Sequence, residues 1–463
     1  MKSHVKIPLI FIALLFNLSF CKDITPEIQL ESPPSAKAKY IFLFIGDGMG
    51  QAHIDIAEAY QKSQKGSSLS FTGFPYQCKT TTYNEQGYIT DSAAAATALA
   101  TGQKTYNGLI SQNINGKNLK TIVEILADKG MKTGIISSVS MDHSTPGAFY
   151  AHSVSRYNYY QIAMQAATSP VDYFGGGPFL DSYVPSDQLN PKEAMVDAGW
   201  IVSEDPFRIH FQGDIRSKLY TYQPNRNNEK DSLPYCIDAT TEDVSMADFT
   251  EIGIKRLKNP KGFFMMIEGG KIDWASHAND IATMVHEVIG FSKAVEKAID
   301  FYNEYPDETL IIVTADHETG DLEYDPHAGT IEAIAGQKLS FQMIDTFLVN
   351  WLLSFYPISA EQIEALFGIY FGLRDISPEE FGLLNQGLDS QLSLGYSYYK
   401  QTSQGEFSSA VTSIIAARSG VFWNSHSHTS TPVSTYAIGN HAESFRGQND
   451  NTDIFNHILS ALE

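Results

Sequence analysis

The sequence predicts an α/β protein whose central, mostly parallel sheet is flanked by helices. Three observations carry that expectation. Residues 40–45, 263–267 and 309–314 are apolar runs of strand length with no polar side to offer water, the pattern of strands buried on both faces of a parallel sheet. Segments with helical spacing lie between them, above all 281–302, whose apolar positions form one stripe. The runs also end in turns rich in Gly and in acidic residues, and strand alternating with helix is the signature of a sheet covered on both sides.

The elements follow in order. Residues 1–20 read as a signal peptide. Lys2 and Lys6 form a basic start and 7–16 an apolar core, too short to span a bilayer, which takes about 20 apolar residues. Cys21 follows Leu18, Ser19 and Phe20, in the manner of a bacterial lipoprotein cleavage box, although Phe20 stands where a small residue is usual. Residues 21–38 contain Pro26, Pro33, Pro34 and Ser35 and read as a lipid-anchor or linker segment. The folded domain is 39–463. Its first strand, 40–45, ends at Gly46, Asp47, Gly48, Met49 and Gly50. An Ala-rich helix begins at Ser92, and a second helix, 119–129, stops at Gly130, as helices do at glycine. Strands are expected at 132–139, 263–267, 309–314 and 433–438, and helices at 281–302 and 454–462. Residues from about 331 to 425 break this rhythm with aromatic and Leu-rich stretches, such as a helix at 359–370, and read as an insertion.

Composition narrows the function. Of 463 residues, 43% are hydrophobic and 18% charged, enough for a core and against disorder. The net charge of −21 repels phosphate backbones and excludes general nucleic-acid binding. Three cysteines make no disulfide scaffold and no C-x-x-C zinc pair, so a metal has to be held by His and carboxylates. Cys78 and Cys236 could pair or remain two thiols.

Ligands of open α/β sheets bind beyond the carboxyl ends of the strands, and polar residues gather there. Asp47 follows the first strand, His143 and Thr145 the second, Glu268 and Asp273 the third, Asp316 and His317 the fourth. Asp273 and His277, four apart, share a helical face. Carboxylates aimed at one cleft repel and need cations between them; Asp with His suits Zn²⁺, and an all-oxygen set with Thr suits Mg²⁺. Ser92 opens its helix, where free N–H groups and the dipole favour an anion. An ordinary Ser N-cap is the commoner role for such a residue. Gly46, Gly48 and Gly50 lack the G-x-G-x-x-G spacing of a dinucleotide site, and Ser92 lacks the G-x-S-x-G elbow.

These segments resemble the alkaline phosphatases. The matching stretches, in the family's order, are 44–50 (FIGDGMG), 90–102 (TDSAAAATALATG), 142–156 (DHSTPGAFYAHSVSR), 267–280 (IEGGKIDWASHAND), 313–321 (VTADHETGD) and 428–439 (HTSTPVSTYAIG). The resemblance implies that family's sheet and hydrolysis of phosphate monoesters to alcohol and inorganic phosphate. It implies a phosphoserine intermediate at a site with two Zn²⁺ and one Mg²⁺. Ser92 would be the nucleophile and Arg156 the clamp on the substrate's phosphate. Asp273, His277 and His428 would hold one Zn²⁺, with His426 the alternative to His428. Asp47, Asp316 and His317 would hold the other, and Asp47, Thr145 and Glu268 the Mg²⁺. His143 stands where some members carry Asp, and Trp274 where others carry Lys or His; both are expected just behind the ligands. A neutral His is a weaker anchor for Mg²⁺ than a carboxylate.

The expected partners are small phosphomonoesters. A lipid on Cys21 would add a membrane, and the oligomeric state stays open, with a homodimer one assembly the chain could form. Export places the chain in the periplasm, on the outer membrane or at the cell surface. The rival functions are a phosphodiesterase or another member of the superfamily, and an exported metal-binding protein without catalysis, which leaves Ser92 and Arg156 unexplained.

Overall fold

The computed structural model describes residues 37–180, 183–207, 217–223, 232–348, 360–394 and 404–463. The signal peptide, Cys21 and nearly all of the linker lie outside the described residues.

Among the described residues the fourteen strands are β1 Tyr40–Gly46, β2 Tyr76–Thr81, β3 Lys132–Ser137, β4 Tyr173–Gly176, β5 Ile201–Ser203, β6 Leu219–Tyr222, β7 Phe263–Gly269, β8 Thr309–Thr314, β9 Glu318–Thr319, β10 Leu322–Tyr324, β11 Val421–Trp423, β12 His428–Thr429, β13 Val433–Gly439 and β14 Gly447–Asp450. Ten of them form one sheet in the order β14-β2-β13-β8-β1-β7-β3-β4-β6-β5. From β8 through β5 all pairings are parallel. β13 runs antiparallel to both β8 and β2. The sheet is therefore mostly parallel, and the last predicted strand is its antiparallel member.

The helices used below are α1 Gln51–Lys65, α2 Ser92–Thr101, α3 Ile122–Asp128, α4 Ser144–Tyr150, α5 Tyr159–Ala166, α6 Pro191–Asp197, α7 Met246–Leu257, α8 Lys271–His277, α9 Ile281–Glu304, α10 Ala360–Tyr370, α11 Pro378–Leu394, α12 Glu406–Arg418 and α13 Asn451–Ala461. Every residue of β1 is buried, and its side chains divide by parity. Tyr40, Phe42 and Phe44 join an aromatic layer with Phe291 and Phe301 of α9, while Ile41, Leu43 and Ile45 join a second layer with Leu99 of α2 and Ile458 of α13. Alternation thus serves two cores at once, which is why the run carries no polar residue.

The described residues of 331–425 share the α9 side of the core through Phe367, Phe407, Val411 and Ile415. A two-bond clamp from Arg418 of α12 to Glu380 of α11 ties their helices, at 2.7 and 2.6 Å. The expected 359–370 helix is α10. Cys78 and Cys236 are both free thiols. Among the described residues no helix is long and apolar enough to cross a membrane.

Candidate active site

Register brings the predicted residues to one edge. Ile45 of β1 lies level with Glu268 of β7 and Thr314 of β8, so Asp47 and Asp316 leave the sheet beside each other. Glu268 is still inside β7, one residue deeper than a strand closed at 267 suggests. Gly48 makes the turn at φ +73°, and a Cβ there would meet Thr319 Oγ1 at 2.8 Å and Asp273 Oδ1 at 2.9 Å. Only glycine suits both that conformation and that approach. Its N–H donates to Asp316 Oδ1 at 3.2 Å. Asp273 and His277 stand on α8, directly after β7. His428 arrives from the far end of the chain because β12 pairs with β9, His428 opposite Thr319.

The side chains converge. His277 Nε2 is 3.3 Å from Asp273 Oδ1 and 3.2 Å from His428 Nε2, and His428 Nε2 is 3.6 Å from the same carboxylate oxygen. His317 Nε2 is 3.4 Å from both Asp47 Oδ1 and Asp316 Oδ2. Three triads hold their ligand atoms within 4.8 Å of one another: Asp273, His317 and His428; Asp47, Asp316 and His317; Asp47, His143 and Glu268. Thr145, on α4, is fully buried beside Glu268. His143 precedes α4 and packs edge-on against Trp274 with ring centres 5.9 Å apart. His426 is not in these triads; its carbonyl lies 2.5 Å from His277 Nδ1, and its own Nδ1 lies 2.9 Å from the His277 carbonyl.

Those carbonyls fix the imidazole tautomers. His277 Nδ1 faces His426 O, and His428 Nδ1 faces Thr90 O at 3.0 Å, so each Nδ1 carries the proton. The two Nε2 atoms then face each other across 3.2 Å, an approach that needs either a second proton on one ring or a cation between them. The carboxylates tell the same story. Both oxygens of Asp47, Asp316 Oδ2, Glu268 Oε1 and the Thr145 hydroxyl are buried with no hydrogen-bond partner, although buried polar atoms are almost always paired. Among the protein groups alone, burial pushes Asp47 far above the usual carboxylate range, with Asp316 and Asp273 repelling it further. Burial and Asp273 push Asp316 up to about 8, and burial pushes Glu268 up to about 7. Burial also acts upward on Asp273, but His277, His428 and His317 outweigh it and hold that carboxyl below the usual range. His277 is drawn up to about 9 by Asp273 against the effect of burial. This donor set of His nitrogens and carboxylates fits Zn²⁺, and its oxygen-rich corner at Asp47, Glu268 and Thr145 fits Mg²⁺.

Ser92 Oγ lies 3.3 Å from His317 Nε2. The N-cap of α2 is Asp91, whose Oδ1 accepts from Ala94 N at 2.9 Å. Ser92 is therefore the first helical residue, and Asp91 does the capping that Ser92 could have been there for. Asp91 Oδ2 accepts from Gly108 N at 2.9 Å and from Arg156 Nη1 at 3.2 Å. Arg156 is thus aimed into a cleft of about 710 Å³ that it shares with Ser92, Asp273, His277 and His428. Burial weakens its charge, but Asp91 outweighs that and keeps it a cation. Sequence reasoning missed two residues here. The sequence reading gave the cap to Ser92 rather than Asp91, and the hold of Asp91 on Arg156, 65 residues away, carries no local signal. Thr319 donates to Asp273 Oδ1 at 2.6 Å and contacts His317 Nδ1 at 3.3 Å; nothing in its neighbourhood advertises that.

Comparison with known proteins gives a consistent result. The family model described as "Alkaline phosphatase" matches residues 38–172 and 228–463; it runs through 331–425 and leaves out 173–227. The chain is 28% identical to alkaline phosphatase 3 of Bacillus subtilis (strain 168), over 98% of this chain and 96% of that protein. It is 30% identical to alkaline phosphatase 4 of the same organism, over 95% and 92%. Among solved structures, a cold-active alkaline phosphatase from the psychrophile Shewanella sp. superposes with a TM-score of 0.77 at 30% identity, covering 92% of this chain and all of that one.

Proposed function

Because the chain belongs to the alkaline phosphatase family and is an enzyme that hydrolyses phosphate monoesters, we propose that it works through a phosphoserine at Ser92, with two Zn²⁺ and one Mg²⁺. One Zn²⁺ would take Asp273, His277 and His428, the other Asp47, Asp316 and His317, and Mg²⁺ would take Asp47, Thr145 and Glu268. When bound, these ions supply the positive charge that lowers the pKa of a serine hydroxyl and stabilises a leaving oxygen.

The chain's own groups do the rest. Arg156, held by Asp91, offers its guanidinium edge to the non-bridging phosphate oxygens. The first N–H groups of α2 face the same anion. Ser92 Oγ attacks phosphorus; its bond to phosphorus forms as the ester P–O bond breaks, and the alcohol leaves with a proton. Water then attacks phosphoserine, releasing inorganic phosphate and restoring the hydroxyl. The work is positioning and charge compensation, as phosphoryl transfer requires.

The observation that carries this reading is the 3.3 Å approach of Ser92 Oγ to His317 Nε2 in a cleft with Arg156. Acid quench of enzyme turning over a phosphate-labelled monoester, followed by peptide mapping, tests it. The label is expected on the peptide containing Ser92 and absent in Ser92→Ala. A label on another residue refutes the assignment. We also propose export through residues 1–20 with lipid attachment at Cys21; mass spectrometry of the mature N-terminus tests both, an unprocessed Met1 excluding export and an unmodified start other than Cys21 excluding the lipid.

A further inference from the structure

The oxygens of the ligand carboxylates are not alike. Asp47 leaves both of its oxygens unpaired, and it is the carboxylate proposed to serve Zn²⁺ and Mg²⁺ at once. Asp316 leaves Oδ2 unpaired, while its Oδ1 accepts from Gly48 N at 3.2 Å and from His317 N at 2.9 Å. Glu268 leaves Oε1 unpaired, while its Oε2 accepts from the Ser137 hydroxyl at 2.5 Å, a length usual for a hydroxyl on a carboxylate. Each carboxylate thus keeps one open oxygen for each ion proposed to take it, and the protein itself occupies the others. Of these donors Ser137 is the side chain. It ends β3, level with Glu268 of β7, and is fully buried. Its Oγ accepts from Val139 N at 3.0 Å and gives its proton to Glu268. A hydroxyl has one proton, so turning it away from Glu268 leaves a buried donor unmet. Glu268 has little room to swing aside, because a Cβ at Gly270 would stand 3.0 Å from its Oε1.

This arrangement limits how Glu268 can grip a cation. Mg²⁺ demands near-ideal octahedral geometry and suits a carboxylate that offers one oxygen, whereas the larger Ca²⁺ gathers more oxygens and often takes both from one carboxylate. A two-oxygen grip by Glu268 has to compete with the Ser137 bond. We infer that Ser137 is a positioning residue that holds Glu268 as a one-oxygen ligand and so makes the site at Asp47, Thr145 and Glu268 select Mg²⁺ over Ca²⁺. The inference rests on the Mg²⁺ reading of that site and adds what keeps the larger ion out.

The test is calorimetric titration of Mg²⁺ alone and of Ca²⁺ alone into zinc-loaded enzyme, its zinc content fixed by elemental analysis. In Ser137→Ala the Kd for Mg²⁺ is expected to rise about 10-fold, as it does when the partner behind a metal ligand is lost. The ratio of the Ca²⁺ Kd to the Mg²⁺ Kd is expected to fall at least ~5-fold, the worth of one buried hydrogen bond. Ser137→Thr keeps the hydroxyl and is expected to keep the wild-type ratio. Ser137→Cys fills the space but is a weak donor, and is expected to behave like Ser137→Ala. An unchanged ratio in Ser137→Ala overturns the inference. A ratio restored by Ser137→Cys and not by Ser137→Thr also overturns it, because bulk and not the hydrogen bond then sets the selectivity. Wild-type enzyme that binds Ca²⁺ more tightly than Mg²⁺ overturns the selectivity while leaving an oxygen site for a hard cation. Wild-type enzyme that takes up neither ion defeats the Mg²⁺ reading and the inference with it, and its hydrolysis of a monoester would leave the phosphatase reading standing.

Discussion

Replacing Arg156 by Ala separates what this residue does for the fold from what it does for the reaction. For the fold the loss is small. The Arg156 and Asp91 side chains are 16% and 19% exposed and make a single bond at 3.2 Å, a type of partly exposed pair worth about 0–1 kcal/mol. Asp91 keeps its bonds to Ala94 N and Gly108 N, both at 2.9 Å, so the α2 cap survives. In a chain of this size 1 kcal/mol moves Tm by roughly 2–4 °C at most. For the reaction the loss is large. Guanidinium has five N–H donors, and the Asp91 bond engages one nitrogen, leaving a fork for two phosphate oxygens. Each charge-assisted bond is worth about 1.5–3 kcal/mol, or roughly 10- to 150-fold in rate. The kcat/KM for a monoester is therefore expected to fall at least ~10-fold, and on the order of 1,000-fold if both bonds are lost. A diester has one fewer free oxygen and a single charge, and its hydrolysis is expected to fall much less. Initial rates at subsaturating monoester and diester, with a thermal melt of each protein, read all three quantities. Equal losses on the two esters, or a Tm drop of ~10 °C, would refute the reasoning and make Arg156 a structural residue.

Chelation is expected to abolish activity, with Zn²⁺ and Mg²⁺ together restoring it; full activity in protein shown metal-free by elemental analysis would contradict the site. The metal-free protein should have a distinctive pH slope. Folding raises Asp316 to about 8 and Glu268 to about 7, so the folded state binds more protons than the unfolded state and stability is lost as pH climbs through that window. His277, raised to about 9, adds a loss of the same sign, and melts between pH 6.5 and 9 should show Tm falling. The loaded protein should behave oppositely toward acid, because ligands must be deprotonated to hold metal; parallel slopes for the two forms would sink this account. Gly48→Ala puts a methyl within 3 Å of Asp273 Oδ1 and Thr319 Oγ1 at φ +73°, and is expected to cost about 1–3 kcal/mol and lower bound zinc; wild-type metal content and melting would disprove it. Asp91→Ala should cost about 1 kcal/mol for the lost cap and weaken phosphate binding through Arg156, whereas Asp91→Asn keeps the cap; identical Tm values for the two variants would show that the cap is idle.

What was legible in the sequence follows from range. The strands β1, β7 and β8 are central, so both their faces are buried and their apolar runs, 40–45, 263–267 and 310–313, advertise it. The residues that end them, Asp47, Glu268 and Asp316, come to one edge because parallel strands in register share an edge. By contrast β4, β5 and β6 are strands of three or four residues toward one side of the sheet, too short for any period to show. The pairing that carries His428 to the site is only two residues long, and the sequence favours His428 over His426 only through the family's pattern of His-Thr followed by a small residue. Geometry separates them: His428 turns its Nε2 to the cluster, and His426 supplies a carbonyl to His277. Asp91 and Thr319 act across 65 and 46 positions, distances over which sequence pattern carries no signal.

The spread of the site along the chain has a consequence for biosynthesis. Asp47 is made near the beginning, Asp273 past the middle and His428 within the last forty residues, and none of the proposed zinc sets is contiguous. A ribosome must pass His317 before the first such set, Asp47 with Asp316 and His317, is complete, and must pass His428 before the second is. Any chain broken before β12 therefore holds at most one of the two proposed zinc sets, and its Asp273 lacks the imidazole of His428. Completing the proposed zinc pair would then be the last act of maturation, and a copy that ends before His428 would fail it.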